Sequence, residues 1–308
     1  MTEPSVSAIR RQAEAELLAA GVASPASDAD WLLAHVLHCE RTALMTAQTL
    51  TPEQYAQFNE LLARRVGREP LQHILGEAWF RHLRVPVGPG VFVPRPETEL
   101  LVDAALQAIS DASRYRDYLT INVVDLCTGS AAVATAIATE TYSTVAVTAV
   151  EIDHDAVVWA QRTIDRYEAK VKRPDSTLSL VFGDATLAGD SLLPELAGAI
   201  DVVTVNPPYI PDNAVPREIE VREYDPPIAL FGGVDGLDVV RQLVAAAARL
   251  LKPGGKLLME HGDEQGGADG VPGVLSASPW FTDVEDHRDL SGRPRFTTAK
   301  RQAKPEAN

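Results

Sequence analysis

The pattern of apolar positions divides the chain into three regions. Over residues 5–75 apolar residues recur at helical spacing, and Thr51-Pro52-Glu53-Gln54 combines a threonine cap, a proline at the first helical position and a glutamine that closes a capping box. Residues 76–96 mix apolar residues with glycine and proline, which predicts a β-hairpin with its turn around Gly88-Pro89-Gly90. We therefore predict a helical bundle over 1–75, a hairpin linker over 76–96, an α/β domain over 97–302 and a disordered tail over 303–308.

Short apolar strands alternate with helical segments from about residue 121. This alternation predicts a mostly parallel sheet with right-handed crossovers, to which the segment from Phe281 adds one or two antiparallel strands. Lys252-Pro253-Gly254-Gly255 is predicted to close the helix that precedes the fifth strand. The predicted strands are Ile121–Leu126, Val145–Glu151, Ser179–Phe182, Ile200–Val205 and Lys256–Glu260.

Composition narrows the class of protein. The 308 residues have room for two domains, and no apolar run approaches the roughly 20 residues that span a bilayer. The N-terminus has no signal-peptide pattern, and two cysteines are too few for a disulfide framework. A net charge of −15 argues against free nucleic acid as a partner. We expect a cytoplasmic monomer without a membrane partner or a metal site.

Three arginines, Arg64, Arg65 and Arg68, cluster near the end of the helical region. We expect them to form a solvated helix face, and contact with a partner is the less favoured alternative.

An acidic residue lies at the end of each of three successive predicted strands: Asp125, Glu151 and Asp184. Small residues follow Asp125, so a ligand can approach the backbone there and meet free N–H groups of the next helix. The G-x-G-x-x-G spacing of dinucleotide sites is absent. Three carboxylates fit a nucleoside without phosphates better than a phosphate-bearing cofactor, and S-adenosylmethionine is such a molecule. Each acid taken alone is also explained as a strand-end or capping residue.

The fourth strand runs into Asn206-Pro207-Pro208-Tyr209. Neither proline can donate to a sheet ladder, and each restricts the residue before it, so the chain leaves the sheet in an extended shape at the edge where α/β sheets bind ligands. The Asn206 oxygen and the Pro207 carbonyl can accept both N–H bonds of a planar amide, while the Tyr209 ring packs on it. Alone, the tetrapeptide is explained equally well as a proline-stiffened loop; together with the three acids it indicates a methyltransferase.

The combination of motifs resembles the release factor glutamine methyltransferases, the HemK/PrmC family. The tetrapeptide is shared with amino-group DNA methyltransferases, so the resemblance depends on other segments, which extend over residues 8–300. Their most distinctive member is Val91–Glu99, with the sequence VFVPRPETE. The others are Arg68–Gly76 followed by Phe80, Ala229–Asp238, Pro253–Gly255, Glu260–Gly262 with Gln265, and Asp289–Arg293.

The resemblance implies a Rossmann-like class I methyltransferase domain with a helical docking domain. It implies methyl transfer from S-adenosyl-L-methionine, which leaves S-adenosyl-L-homocysteine, to the glutamine amide of the Gly-Gly-Gln motif in class I peptide chain release factors. Asn206, Pro207 and Tyr209 would be catalytic, and Pro208 would complete the substrate site. The cofactor would contact Phe80, Arg95, Asp125, Cys127, Thr128, Gly129, Ser130, Ala131, Glu151, Ile152, Asp184, Ala185 and Asn206.

The chain departs from the family pattern at three of these positions. Cys127 and Ala131 stand where glycine is usual, and Glu151 replaces an aspartate and so reaches one methylene further. Two alternatives stay open: methylation of another amide or amino group, such as a ribosomal-protein glutamine or a nucleic-acid adenine, and a non-catalytic adaptor that retains the cofactor fold.

Overall fold

A computed structural model describes residues 5–46, 49–114 and 119–303, which form two compact units. The helical unit contains residues 5–78 and the distant segment Arg217–Tyr224, and the α/β unit contains the remaining described residues. Apart from Ala303, the predicted disordered tail lies outside the described residues. Within the described ranges, no helix is both long and apolar enough to cross a membrane.

The helical unit is held by a core of apolar side chains from several helices. The capping box predicted at Thr51 is confirmed, since its hydroxyl accepts from the Gln54 amide and the Gln54 side chain accepts from the Thr51 amide. Ile9, Leu17, Leu32 and Phe58 are among the buried core residues. The helices are α1 (Val6–Ala19), α2 (Pro25–Val36), α3 (Pro52–Val66) and α4 (Leu71–Leu75), together with the short helix Ile219–Tyr224.

The prediction that the three arginines form a solvated face is wrong for Arg65. Its guanidinium is buried, with Nε 2.8 Å from Oδ2 of Asp28 and Nη1 2.9 Å from Oε1 of Glu220. Arg68 reaches the other oxygen of Glu220 at 2.6 Å. Arg65 is buried because Glu220, 155 residues further along the chain, compensates its charge, a contact that helical periodicity cannot reveal.

The hairpin turn lies earlier than the sequence predicts. Strands β1 (Glu77–Phe80) and β2 (Leu83–Pro86) pair through a turn at Arg81 and His82. The glycines around Pro89 have a packing role instead: a Cβ on Gly88 would overlap the Trp159 ring, whose Nε1 donates to the Pro89 carbonyl over 3.1 Å. The absence of a side chain therefore allows the chain to approach an aromatic ring closely.

The α/β unit is built on a seven-stranded sheet with the order β5-β4-β3-β6-β7-β9-β8. The first five strands are parallel to one another, β9 pairs antiparallel with β7, and β8 pairs antiparallel with β9, which confirms the prediction from the alternating pattern. The strands are β3 (Ile121–Leu126), β4 (Val145–Glu151), β5 (Thr177–Phe182), β6 (Ile200–Val205), β7 (Leu251–Glu260), β8 (Phe281–Arg288) and β9 (Pro294–Arg301). In chain order, the later helices are α5 (Glu99–Ser113), α6 (Ala132–Glu140), α7 (His154–Tyr167), α8 (Ile219–Tyr224), α9 (Asp238–Leu250) and α10 (Val271–Ala277).

Strand β7 begins five residues before its predicted start. Ile200 pairs with Leu251 but Val202 pairs with Lys256, so the intervening Pro-Gly-Gly segment forms an irregularity within the strand rather than a separate helix-closing turn. A bulge accommodates the extra residues without ending the pairing.

The sheet changes direction between β3 and β6. The chain proceeds outward from β3 through β4 to β5, and it then returns to β6 on the other side of β3. The loops after β3 and β6 therefore diverge at the carboxyl edge and leave a crevice, which is where open α/β sheets bind ligands.

Candidate active site

The loop that follows β3 alternates left-handed residues with ordinary ones. Cys127, Gly129 and Ala131 have φ angles of +58°, +56° and +59°, a region that favours glycine. Space around Gly129 is open, since a Cβ there would meet no atom within 4 Å. Ala131 is buried and packs with Ala160 and Ile164 of α7. The loop therefore leaves open space beside the half-buried Gly129 and is packed into the core at Ala131.

Asp125 lies beneath this loop and holds its shape. Its Oδ2 accepts from the Thr128 hydroxyl over 2.5 Å, and its Oδ1 accepts from the Thr204 hydroxyl of β6 over 2.6 Å. The residue is only 2% exposed, and burial raises the pKa of its carboxyl to about 6, although both hydroxyl groups oppose that rise. Asp125 thus joins β3, its loop and β6, and both its oxygens are occupied by protein donors.

Glu151 joins the loops after β3 and β4. Its Oε2 accepts from the Gly129 amide over 2.7 Å, and its Oε1 accepts from the amides of Ile152 and Asp153, each over 2.9 Å. Burial raises the pKa of this carboxyl, and the three backbone donors oppose the rise. The longer glutamate side chain folds back onto its own loop, and a carboxylate has about four acceptor positions, so roughly one remains for a ligand.

The other cofactor positions predicted on these loops differ in accessibility. Ile152 is 43% exposed, whereas Ser130 and Ala185 are buried. Oδ1 of Asp184 accepts from the Thr186 amide over 2.9 Å and from the Thr186 hydroxyl over 2.7 Å. Thr128 is also buried, and its amide donates to the Val150 carbonyl over 3.0 Å. Of the predicted cofactor positions on these loops, Ile152 is exposed, and Cys127, Gly129 and Asp184 are half-buried.

Cys127 is not activated as a nucleophile. Burial raises the pKa of its thiol well above the ordinary value, and the carboxylates of Glu151, Asp125 and Asp184 add to that rise. A protonated thiol is a poor nucleophile, so the side chain is a packing residue of this loop.

A second loop and one glutamine hold the Asn206–Tyr209 turn. Nε2 of Gln265 donates to the Tyr209 carbonyl over 2.9 Å, and the Ile210 amide donates to the Leu230 carbonyl over 2.8 Å. A Cβ on Gly232 would overlap the Pro208 carbonyl, and one on Gly236 would overlap the Tyr209 carbonyl. These two glycines permit the close approach of the loop, which explains the Ala229–Asp238 motif.

Glu260, at the end of β7, is a residue of this turn to which the sequence assigned no role. It is 6% exposed, and burial raises the pKa of its carboxyl to about 7, a rise that the hydrogen-bonding groups of Thr98 and Asn206 oppose. The Tyr209 ring lies near the end of β7, since a Cβ on Gly262 would stand 3.5 Å from it, and burial and the charge of Glu260 both raise the pKa of its phenol. The only signal in the sequence was an acidic residue at a strand end, followed by His261 and Gly262.

His261 has a structural environment. Its Nε2 lies 3.0 Å from the Thr297 hydroxyl, its Nδ1 lies 2.9 Å from the Gly262 carbonyl, and burial lowers the pKa of the ring.

The two predicted cofactor residues outside the strand-end loops, Arg95 and Phe80, lie in different environments. Nη2 of Arg95 is 2.8 Å from the buried Asp225 carboxylate, and its guanidinium covers the Phe92 ring at 5.0 Å. Phe80 is completely buried in β1, so this structure gives its ring no surface that a ligand could touch.

Metal binding has no support in the described part of the chain. Across those residues, no group of three or more His, Cys, Asp or Glu side chains is placed to hold a metal ion.

The strand order, the crevice at its switch point and the tetrapeptide after β6 together define a class I, Rossmann-like methyltransferase domain. Residues 8–76 match the PrmC N-terminal domain family. The release factor glutamine methyltransferase of Streptomyces coelicolor is 44% identical over 294 residues, which cover 94% of this chain and 96% of that protein. That of Mycolicibacterium smegmatis is 43% identical over 294 residues, which cover 95% and 96%. The chain belongs to the release factor glutamine methyltransferase family.

Among solved structures, a ribosomal protein L11 methylase from Lactobacillus delbrueckii subsp. bulgaricus aligns over 74% of this chain and 92% of its own, with a TM-score of 0.44 and 14% identity.

Proposed function

We propose that this protein transfers the methyl group of S-adenosyl-L-methionine to the side-chain amide nitrogen of the glutamine in the Gly-Gly-Gln motif of class I peptide chain release factors. The observation that carries the proposal is the intact Asn206–Tyr209 turn, braced at the switch point of the sheet in a chain of this family. We further propose that it acts in the cytoplasm as a monomer.

The crevice between β3 and β6 suits an uncharged nucleoside. The left-handed loop leaves open space at Gly129, the Glu151 carboxylate retains an acceptor position, and Ile152 offers an exposed apolar surface for the adenine ring. Asp125 acts indirectly in this scheme, because its two oxygens fix the loop instead of facing the crevice. When bound, the cofactor supplies an electrophilic methyl group on a sulfonium.

The tetrapeptide would orient the nitrogen that receives the methyl group. In an amide the nitrogen lone pair is delocalised, so positioning contributes most of the catalysis. The Asn206 side-chain oxygen and the Pro207 carbonyl accept the two N–H bonds, and the half-buried Tyr209 ring packs on the amide plane. After it has accepted the methyl group, the substrate nitrogen would lose one proton to solvent, so this chain needs no strong base.

The helical unit would dock the release factor. Its link to the active-site turn is covalent: the segment that follows Tyr209 enters the helical unit at Arg217, and Glu220 binds Arg65 and Arg68 there.

The test is mass spectrometry of an unmethylated release factor after incubation with this protein and S-adenosylmethionine. We expect a gain of one methyl group on the glutamine of the Gly-Gly-Gln motif. A release factor with asparagine at that position is the matched substrate control and should gain none. Absence of a methyl group on the natural factor, or its appearance at another residue, would refute the proposal.

A further inference from the structure

Glu260 and Asn206 occupy equivalent positions at the ends of adjacent parallel strands. Val205, the last residue of β6, pairs with Met259 of β7, so the chain leaves β6 at Asn206 beside Glu260, the last residue of β7. Neighbours in register on parallel strands project from the same face of the sheet. The hydrogen-bonding group of Asn206 accordingly lies close enough to Glu260 to stabilise its charge.

The surroundings of Glu260 make its ionisation sensitive to a few groups. Its Oε2 is buried and, within the described residues, makes no hydrogen bond of standard geometry. The charged or titratable groups that face it are Glu97, Arg295 and Tyr209, and Thr98 contributes a hydroxyl. His261 follows it in sequence but interacts with Thr297 and Asp286. A buried acceptor that lacks a hydrogen-bond partner lowers the stability of the folded protein. Such a group is often retained because it has a functional role.

The amide of Asn206 has two possible orientations with opposite chemistry. One presents the oxygen, which accepts, and the other presents the NH₂ group, which donates. The proposed reaction needs the oxygen to face the substrate amide. An ionised carboxylate beside Asn206 can only accept, so it selects the orientation in which NH₂ faces Glu260 and the oxygen faces the crevice.

We propose that Glu260 is a positioning residue that holds the Asn206 amide with its oxygen toward the substrate nitrogen, an inference that rests on the proposed function. When Glu260 is protonated it becomes a donor and competes for the Asn206 oxygen. Because burial places its pKa at about 7, turnover should fall as the pH drops below neutrality.

The experiment measures kcat and KM for the release factor from pH 5.5 to 9, together with calorimetry of S-adenosylmethionine binding. The wild-type protein should show an acid limb in kcat near pH 7. Glu260→Gln should lose the limb and lower kcat roughly 10- to 100-fold, the effect of one charged hydrogen bond, while cofactor affinity stays within about twofold. Asp201→Asn is the matched control, since it removes another buried carboxylate at the opposite end of β6 and should keep the limb.

A second variant keeps the inference testable if Glu260→Gln does not fold. Arg295→Gln removes a cation next to Phe296, which pairs with Glu260, and its charge favours the ionised carboxyl, so the acid limb should move to higher pH. An unchanged limb in both variants would overturn the role of Glu260 while leaving the proposed function intact. A wild-type protein that never methylates the release factor would instead refute the proposed function, and the inference with it.

Discussion

The backbone amide of Gly129 donates to Oε2 of Glu151 over 2.7 Å, so one carboxylate joins the loops that follow β3 and β4. The same side chain also accepts from the amides of Ile152 and Asp153. The shape of the proposed cofactor site thus depends on Glu151 before any ligand binds.

Replacing Glu151 with glutamine should weaken S-adenosylmethionine binding. In the wild-type protein three backbone amides donate to the Glu151 carboxylate. In the variant, the NH₂ group of the glutamine would face some of these donors and could not accept from them. We expect a loss of about 1.5–3 kcal/mol in binding free energy, measured by calorimetry. Glu285→Gln removes an exposed carboxylate on β8 and should leave the affinity unchanged. Equal affinities for both variants would contradict the assignment of Glu151.

Replacing Asn206 with alanine should abolish methyl transfer and leave cofactor binding nearly intact. The substitution removes the oxygen proposed to accept from the substrate amide. Asn206 is half-buried and comes directly after β6, outside the strand. Single-turnover methylation of the release factor and calorimetry of the cofactor measure the two effects. Turnover at the wild-type rate would refute the role of Asn206.

Ala131→Gly should change the free energy of unfolding by less than about 1 kcal/mol. A left-handed residue other than glycine costs about 1–2 kcal/mol, and glycine relieves that strain. The loss of one buried methyl, at about 0.8 kcal/mol, and the greater freedom of glycine in the unfolded chain oppose the gain.

The neighbouring substitution Ala132→Gly is the control for that measurement. Ala132 is also buried, but it is the first residue of α6, where glycine brings no relief of strain. We expect it to destabilise the protein by about 1–2 kcal/mol in denaturant titrations. If Ala131→Gly proved as destabilising as Ala132→Gly, the strain at Ala131 would not be significant.

Glu220→Gln should destabilise the helical unit. Burial alone would raise the pKa of Glu220, but hydrogen bonds from Arg68 and Arg65 outweigh it and hold the pKa at about 2. With 15% of the side chain exposed, solvent screens the pair in part, and we expect a loss on the order of 1–3 kcal/mol. Because this pKa is depressed, the stabilisation is present above pH 4.5 and disappears as the pH falls toward 2.

Calorimetric unfolding at pH 7 and pH 3 checks this prediction, with Glu223→Gln as the control. Glu223 lies on the same helix but is exposed and pairs only with its neighbour Arg222 among the ion pairs of the described chain. An identical effect of the two substitutions would show that the buried arginine does not depend on Glu220.

Glu260→Gln should change the pH dependence of the free energy of unfolding in the opposite direction to Glu220→Gln. The pKa of this carboxyl rises from 4.5 in the unfolded chain to about 7 in the folded protein. Its contribution to the free energy of unfolding is therefore fully present below pH 4.5 and is lost as the pH rises through 7. The wild-type protein should therefore lose on the order of 3 kcal/mol relative to the variant between pH 4.5 and pH 7.5. Denaturant titrations of both proteins at these values measure the difference, and parallel curves would contradict the burial of an ionisable group there.

Patterns of short range determined a large part of this fold. The helix start at Thr51, the alternation of strands and helices, and the termination of β6 at Asn206 depend on residues a few positions apart. Such features follow from periodicity, capping and the restrictions of proline, which act within one element.

Only the tertiary structure shows which side chains from distant segments form hydrogen bonds, ion pairs and close contacts with one another. It buried Arg65 against Glu220, placed Gly88 against the Trp159 ring, and occupied both oxygens of Asp125 with the hydroxyls of Thr128 and Thr204. The sequence identifies an acidic residue at a strand end, but it does not show which donors will reach that residue. That depends on contacts between segments up to 155 residues apart, because a buried charge takes its partner from whatever the packed chain brings within hydrogen-bonding distance.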